Sequence, residues 1–193
     1  MATVIDICNR ALSLIHAQPI GALTESSQEA VLCNQFYDEL RLSLLRDHAW
    51  NFATRRVVLG EEIDEYTLYT YAYTYPSDCL YARRLLPSAT EVVAFEVQAN
   101  LSNSGRVILT DLEDAELEYT IDIENTNVMD PLFRGALSWL LAANLAPPLK
   151  AKTQLVQAMT QGYFAALSRA KMADANEGST PLQQSNTFVD ARA

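Results

Sequence analysis

Apolar side chains recur at helical spacing in the first fifty residues of the chain. Thr3 and Asp6 have the spacing of an N-terminal cap, and the stripe around them predicts a helix that ends near Ala17. Ser26, with a glutamate three residues later, has the capping-box pattern and predicts a second, longer helix that runs to about His48. The two stripes consist of Val4, Ile7, Cys8, Ala11, Leu12 and Ile15, and of Ala30, Cys33, Tyr37, Leu40 and Leu44.

Beyond Trp50 the spacing changes to that of β-strands. In "YTLYTYAYTY" Tyr69, Tyr71, Tyr73 and Tyr75 occupy alternate positions, which predicts a strand. The stretches "EVVAFEVQA" and "RVILT" flank "NLSNSG", which predicts a hairpin with positive φ at its Asn and Gly residues. The stretch "ELEYTIDI" alternates strictly and predicts a strand with one core face and one wet, acidic face. The predicted core face is Leu117, Tyr119, Ile121 and Ile123, and the predicted wet face is Glu116, Glu118, Thr120 and Asp122.

Helical spacing returns at Asp130. An aspartate followed by Pro131 is typical of an N-cap with proline at the first helical position, and it predicts a third helix that stops at the proline pair 147–148. A fourth helix is predicted to run to about Asn176, just before a glycine that can terminate it. The apolar residues of these two helices are Leu132, Phe133, Ala136, Leu137, Leu140, Leu141 and Leu145, and Leu155, Val156, Met159, Tyr163, Ala166, Leu167 and Ala170.

The order of these elements predicts an α+β fold. Two helices at each end have too little apolar area to be stable separately, so we expect one four-helix layer from both termini with an inserted antiparallel β domain and an extended C-terminal tail. The expected boundaries are 1–52 and 129–178 for the helical domain, 53–128 for the β domain and 179–193 for the C-terminal arm. The first and last helices should pack side by side, and Trp50 and Phe52 should fill the joint between the two layers.

Composition limits what such a chain can do. Its 193 residues, 49% of them hydrophobic, can bury one good core or two small ones. The 24 acidic and 14 basic residues give a net charge of −10, the wrong sign for gripping a phosphate backbone, although passive contact with DNA stays possible. No apolar run approaches the ~18 to 20 residues of a membrane span, and the N-terminus lacks signal-peptide features, so we expect no membrane partner and synthesis in the cytoplasm.

Candidate catalytic and metal-binding residues are few. His16 and His48 have no HxxxH or HExxH partner, and His48 is interpreted as the C-terminal cap of its helix. The three cysteines lie far apart without a CxxC spacing, which predicts neither a disulfide framework nor a zinc site. Serine-hydrolase, dinucleotide-binding and P-loop motifs are absent from the sequence. We therefore predict no catalytic residue, no metal and no cofactor.

Two carboxylate clusters are the remaining candidates for chemistry. They could in principle supply a glycosidase pair or a calcium site, but the glycine and ligand spacing of a calcium loop are missing. We interpret both as solvated turns and acidic surface. The clusters are "EEIDE" (Glu61, Glu62, Asp64, Glu65) and "DLEDAELE" (Asp111, Glu113, Asp114, Glu116).

Several blocks of sequence, in this order, are typical of one family. They are "DICNRALSLIHAQPIGALTE", "CNQFYDELRLSLLRDHAWNFATRR", "YAYTYPSDCL", "DPLFRGALSWLLAANLA" and a terminal "FVDAR". The most specific stretches are residues 37–56 and 75–80. With these blocks the chain resembles, over nearly its whole length, the tail tubular protein A family, the head-to-tail adaptors of short-tailed bacteriophages. That family commonly has proline where Ala49 stands and tryptophan where Phe188 stands.

This resemblance implies a structural virion protein rather than an enzyme. The expected role is a ring, typically of twelve copies, between the portal protein and the tail nozzle protein in the neck of the virion. Such a ring forms part of the DNA ejection channel, and its negative charge would keep genomic DNA from adhering to the wall.

Two groups of residues are predicted to make interfaces with other chains. Leu182, Phe188 and Val189 are apolar residues in the C-terminal arm, with Phe188 as its anchor, and a purely flexible tail would not need them. Tyr69, Tyr71 and Tyr73 are candidate interface residues of the β domain.

Two alternatives of another class stay open. One is a cell-wall hydrolase of a phage tail that uses two of the clustered carboxylates. The other is a non-viral cytosolic interaction module.

Overall fold

The computed structural model describes residues 2–62, 66, 68–86 and 93–177, which form a mixed α+β fold. The helices are α1 (Val4–Leu14), α2 (Gln28–Asp47), α3 (Pro131–Leu145) and α4 (Thr153–Glu177), with a short 3₁₀ turn at Asn51–Ala53. The strands are β1 (Thr54–Val58), β2 (Tyr71–Thr74), β3 (Cys79–Leu86), β4 (Phe95–Ala99), β5 (Arg106–Thr110) and β6 (Glu116–Ile121). The predicted arm, with Leu182, Phe188 and Val189, lies outside the described residues.

Side-chain caps start the first two helices. The Thr3 hydroxyl accepts a hydrogen bond from the Asp6 N–H, and the Asp6 carboxylate accepts one from the Thr3 N–H, so the predicted cap is confirmed. These hydrogen bonds hold the pKa of Asp6 below its ordinary value. Helix α2 is capped by Ser27, whose hydroxyl accepts from the Ala30 N–H, and not by Ser26 as predicted. The cap falls on Ser27 because this residue has the extended backbone that an N-cap requires.

The first helix ends earlier than predicted. Its last residue is Leu14, and His16 has a left-handed backbone with φ of 60°, a conformation that cannot continue a right-handed helix. The apolar stripe continues to Ile15 because that side chain still packs into the core after the helix has ended.

One hydrophobic cluster contains side chains from all four helices. Helix α3 lies at its centre, since it packs against α4, α1 and α2. The main partner of α1 is thus α3, which corrects the expectation that the first and last helices pack side by side. Leu137 and Leu141 of α3 are fully buried in this cluster.

The described strands form two antiparallel three-stranded sheets. The first has the order β1-β6-β3 and the second the order β2-β5-β4. The predicted hairpin is confirmed: β4 pairs with β5, with Phe95 opposite Thr110 and Ala99 opposite Arg106. In its turn Asn103 has the positive φ, at 55°, whereas Gly105 does not.

The central strand β6 is buried on both faces. Leu117, Tyr119 and Ile121 lie in a second hydrophobic cluster, as predicted. The opposite face is wet only towards its ends: Asp122 is exposed as predicted and Glu116 is half-buried, but Glu118 and Thr120 are buried. The physical reason is the position of β6 between two strands whose arginines cover its polar face, as described below.

Candidate functional site

The connection from α2 to β1, residues 48–54, is held by several side-chain hydrogen bonds, and we call it the joint. Trp50 is fully buried, and its indole N–H donates to the Leu44 carbonyl at 2.9 Å. Its ring lies edge-on to Phe133 with centroids 5.0 Å apart, and Phe52 also contacts Phe133 at 5.0 Å. The aromatic residues of the joint therefore pack in the helical core, as their apolar rings predict.

A buried carboxylate from α4 holds the joint in place. The Asp174 side chain accepts from the Asn51 N–H at 2.9 Å and lies 3.1 Å from His48 Nε2, while the Asn51 amide donates to the Asp174 carbonyl at 2.6 Å. A His–Asp pair also orients the base in hydrolase triads, but there the second ring nitrogen meets a nucleophile. Among the described residues no serine, threonine or cysteine bonds to His48. What the Asp174 carboxylate does hold, through the Asn51 N–H, is the backbone of the joint.

Arg83 of β3 completes the C-terminal end of α2. Its Nη2 donates to the carbonyls of Leu45, Arg46 and His48 at 3.2, 2.8 and 2.7 Å, and its Nε donates to the Thr120 hydroxyl at 2.8 Å. A cation is favourable there because the unpaired carbonyls carry partial negative charge. His48 is the C-cap residue of α2, as predicted, but the Arg83 guanidinium and not the imidazole satisfies the carbonyls at this helix end.

A second buried arginine ties α2 to the end of β6. Arg41 is 3% exposed, forms ion pairs with Asp38 and Asp122, and donates to the Ile123 carbonyl at 2.8 Å. Burial by itself would lower the pKa of Arg41, but its hydrogen bonds and ion pairs with Asp122 and Asp38 outweigh burial, and the pKa is raised. The guanidinium therefore stays charged and bridges the helical part and the first sheet.

The two tyrosines of β2, Tyr71 and Tyr73, pack in or against the second hydrophobic cluster. Tyr73 is 1% exposed, and its hydroxyl donates to the Leu112 carbonyl at 2.9 Å. Tyr71 is half-buried and stacks on Tyr73 with centroids 6.3 Å apart, and Tyr69 is also half-buried. Tyr73 is thus a core residue and offers no surface to a partner, which corrects its predicted interface role. For Tyr69 and Tyr71 that role stays a prediction.

Residues of both carboxylate clusters lie near Tyr71, whose pKa is raised by burial and by the charges of Glu113, Glu61 and Asp114. Asp111 accepts from the Thr70 N–H and hydroxyl, both at 2.9 Å, and these bonds lower the pKa of Asp111. Glu62 accepts from the Thr74 hydroxyl at 3.2 Å. In the described part of the chain no three His, Cys, Asp or Glu side chains are arranged to hold a metal ion. Asp64 and Glu65 lie outside that part.

The thiols are buried. Cys8 and Cys33 belong to the helical core and Cys79 to the second cluster, and all three are free. The hydrogen bond from Cys8 to Cys33, together with burial, raises the pKa of Cys8, and burial raises the pKa of Cys79. These two thiols therefore stay protonated and unreactive in the folded chain.

A scan against protein-family models and a search of curated proteins found nothing that matches this chain. The resemblance to the adaptor family therefore depends on the sequence blocks themselves. None of the described helices is long and apolar enough to cross a lipid bilayer.

The charged residues that anchor α2 and the joint, Arg41, Arg83 and Asp174, were not predicted from the sequence. Arg41 follows Tyr37 at helical spacing in the apolar stripe of α2, and Asp174 similarly follows Ala170 in the stripe of α4. A charge at a stripe position signals a buried ion pair or capping interaction, so these two could have been found. Arg83 could not have been found in this way, because the sequence of a strand does not indicate which helix end its side chains contact.

Proposed function

We propose that this chain is a structural virion protein, a head-to-tail adaptor whose ring joins the portal to the tail nozzle and forms part of the DNA ejection channel. It would be made in the bacterial cytoplasm and occupy the neck of the virion. The observation that carries the proposal is the contact between the two most family-like stretches, residues 37–56 and 75–80.

These two stretches contact each other in the fold. Arg55 pairs with Asp78, and Asp78 also accepts from the Tyr119 hydroxyl at 3.0 Å. Tyr75 lies under the Arg106 guanidinium at 3.9 Å. The Arg55–Asp78 ion pair thus joins the two stretches directly, which is what we expect if they specify a shared architecture.

The architecture we propose is the four-helix layer with an inserted β domain and an arm. Two observations support it: one hydrophobic cluster contains residues of all four helices, and every described strand lies between α2 and α3 in the chain. The helical domain would comprise 1–52 and 129–178, the β domain 53–128 and the arm 179–193. In this arrangement the arm, with Phe188 as anchor, contacts the portal or a neighbouring subunit.

The net charge of −10 suits a DNA conduit and also opposes self-association. We therefore expect the isolated chain to be monomeric or weakly associated and to form its ring on the portal. Sedimentation at low and moderate salt tests this expectation. A stable ring of the isolated chain at low ionic strength would contradict the expectation that the ring forms only on the portal, but it would be compatible with the adaptor role.

Purified phage particles provide the direct test of the proposal. Mass spectrometry should find the chain in them at a copy number close to that of the portal protein, and immunogold labelling should mark the neck. Absence from particles that contain the portal and nozzle proteins would overturn the adaptor role.

The hydrolase alternative predicts a different result. A zymogram of the wild type on cell-wall material would show clearing, and Glu113→Gln would abolish it. We expect no clearing from either protein.

A further inference from the structure

A groove lies between α1, α3 and α4, on the surface of the helical core. Its volume is about 430 Å³, and its lining includes the half-buried Trp139 and small residues, among them Gly135, Gly162 and Ala165. The wall is close-packed at Gly162, since a Cβ there would lie under 3.0 Å from the Trp139 ring. The Trp139 ring therefore forms a fixed wall of the groove, and the space next to it can hold another apolar side chain.

Two arginines line this groove, and both lack partners among the described residues. Arg10 and Arg169 make no ion pair and no side-chain hydrogen bond there, although Arg10 lies over the floor, 3.7 Å from where a Cβ of Gly135 would be. Every other described arginine has an ion pair, a hydrogen bond or an aromatic ring as partner. In a chain of net charge −10, two arginines that share a groove and have no partner within the described part of the chain favour a ligand with a carboxylate.

The chain itself contains a segment of matching chemistry. Residues 178–193 follow directly on α4 and include Phe188 and Asp190. In an extended backbone these two side chains project from the same side, because successive residues alternate. An aromatic ring and a carboxylate on one side complement an aromatic wall flanked by arginines.

The segment is long enough to reach the groove of its own chain. Gly162 and Arg169 precede the end of α4 by fifteen and eight residues, a distance of roughly 12 to 23 Å along the helix. The ten residues 178–187 span at most about 36 Å, and Gly178 and Pro181 favour a reversal at their start. Tethering gives an effective concentration on the order of millimolar, whereas a second copy must approach against like charge.

We propose that in the free chain residues 178–193 fold back on this groove, with Phe188 packed against Trp139 and Asp190 paired with Arg10 and Arg169. This contact goes beyond the adaptor role and does not depend on it. One consequence rests on the proposed function: an arm that binds the portal or a neighbouring subunit must first leave its own groove, which restrains assembly.

Fluorescence quenching by acrylamide tests the apolar part of the contact in the full-length monomer. The chain has two tryptophans, and Trp50 is fully buried, so the quenchable emission reports Trp139. Phe188→Ala should raise the quenching constant about twofold, because the ring that covers Trp139 is lost. Gln184→Ala is the control and should leave the constant unchanged. Equal constants in wild type and Phe188→Ala would overturn the proposal.

Charge reversal tests the polar part in the same assay. Asp190→Arg should increase quenching, and the double variant with Arg169→Asp should restore the wild-type value. Arg192→Ala, which removes the cation two residues further along, should have no effect. Failure of the double variant to restore protection would contradict the pairing of Asp190 with Arg169.

Disulfide trapping distinguishes the chain's own segment from that of a second copy. The three native thiols are buried, so Ala165→Cys with Asn186→Cys provides the reactive pair. We expect a cross-linked monomer, and little cross-linking when Val31→Cys on α2 replaces Ala165→Cys as the matched control. A disulfide-linked dimer would show docking on a second copy and overturn the fold-back, as would equal cross-linking of both pairs.

Discussion

The helical core and the two sheets are stabilised in different ways. The core is a large apolar cluster around α3, and the buried charged residues on its helices are Arg41 and Asp174. The second cluster, within the sheets, is smaller, and arginine–carboxylate pairs supplement it. In the first sheet Arg56 and Arg84 from the flanking strands both bond to Glu118 of the central strand.

This difference predicts how each region responds to change. Apolar burial is large, non-directional and nearly independent of pH. Partly exposed ion pairs are individually weak and are screened by salt. Substitutions in the helical core should therefore have the largest effects on stability, and the sheets should account for the sensitivity to pH.

Truncation at the centre of the helical core should have the largest effect. Leu137 is fully buried on α3, so Leu137→Ala should lower the free energy of unfolding by ~2 to 5 kcal/mol through lost burial and the cavity left behind. Urea denaturation measures this loss. Val31→Ala, at an exposed position of α2, is the control and should change it by less than about 0.5 kcal/mol. A loss under half a kcal/mol for Leu137→Ala would refute the proposed core.

The bridge between the two regions should come next. Arg41→Met keeps the apolar stem but leaves the Ile123 carbonyl and Asp122 without their donor, which should cost about 2 to 3 kcal/mol. The loss is reduced because Asp122 is 39% exposed and can be hydrated. Arg55→Met, which breaks a pair exposed on both sides, should cost at most about 1 kcal/mol. Equal losses of unfolding free energy for both variants in urea denaturation would show that the buried ion pair contributes no more to stability than the exposed one.

Close packing between α3 and α4 predicts a smaller loss. In Gly162→Ala the added Cβ would lie under 3.0 Å from the Trp139 ring, so the ring or the helix must shift, at a cost of about 1 to 3 kcal/mol. Gly60→Ala is the matched control, since a Cβ there has no neighbour within 4 Å. Thermal unfolding of both variants checks this contrast. A neutral Gly162→Ala would mean that the helices are packed less tightly than the structure indicates.

The same contrast explains how much of the fold could be predicted from sequence. A helix is specified by nearby residues, namely its apolar stripe and its capping residue. Thr3, Asp6 and Asp130 therefore predicted the starts of two helices correctly. Sheet pairing is not local. The alternation of β6 identified a strand and its apolar face, but the burial of Glu118 depends on arginines 62 and 34 residues away in the chain. Tyr73 shows the same limit of prediction from sequence. A row of alternating tyrosines is compatible with a buried core as well as with an interface, and the sequence does not distinguish the two.

The last prediction concerns Glu118 and should have the smallest effect. Its hydrogen bond to Arg84 and its pairing with Arg56 outweigh burial and hold the pKa of Glu118 below the ordinary glutamate value. A lowered folded-state pKa stabilises the fold above the ordinary pKa, near 4.3, and this contribution is lost as the pH falls through the folded value. Glu118→Gln should therefore be less stable at pH 7, by about 1 kcal/mol or less because both arginines are about half exposed.

A pH series of urea denaturations down to about pH 3 tests the sign of this effect. The gap between wild type and Glu118→Gln should be constant from pH 7 to about pH 5 and should close below the ordinary glutamate pKa, because protonation then neutralises the wild-type side chain as well. Glu116→Gln is the control on the same strand, since Glu116 makes no ion pair among the described residues, and its gap should be small throughout. A gap for Glu118→Gln that persists unchanged at acid pH would mean that its loss at neutral pH comes from packing and not from charge. The sheets would then be stabilised in the same way as the helical core.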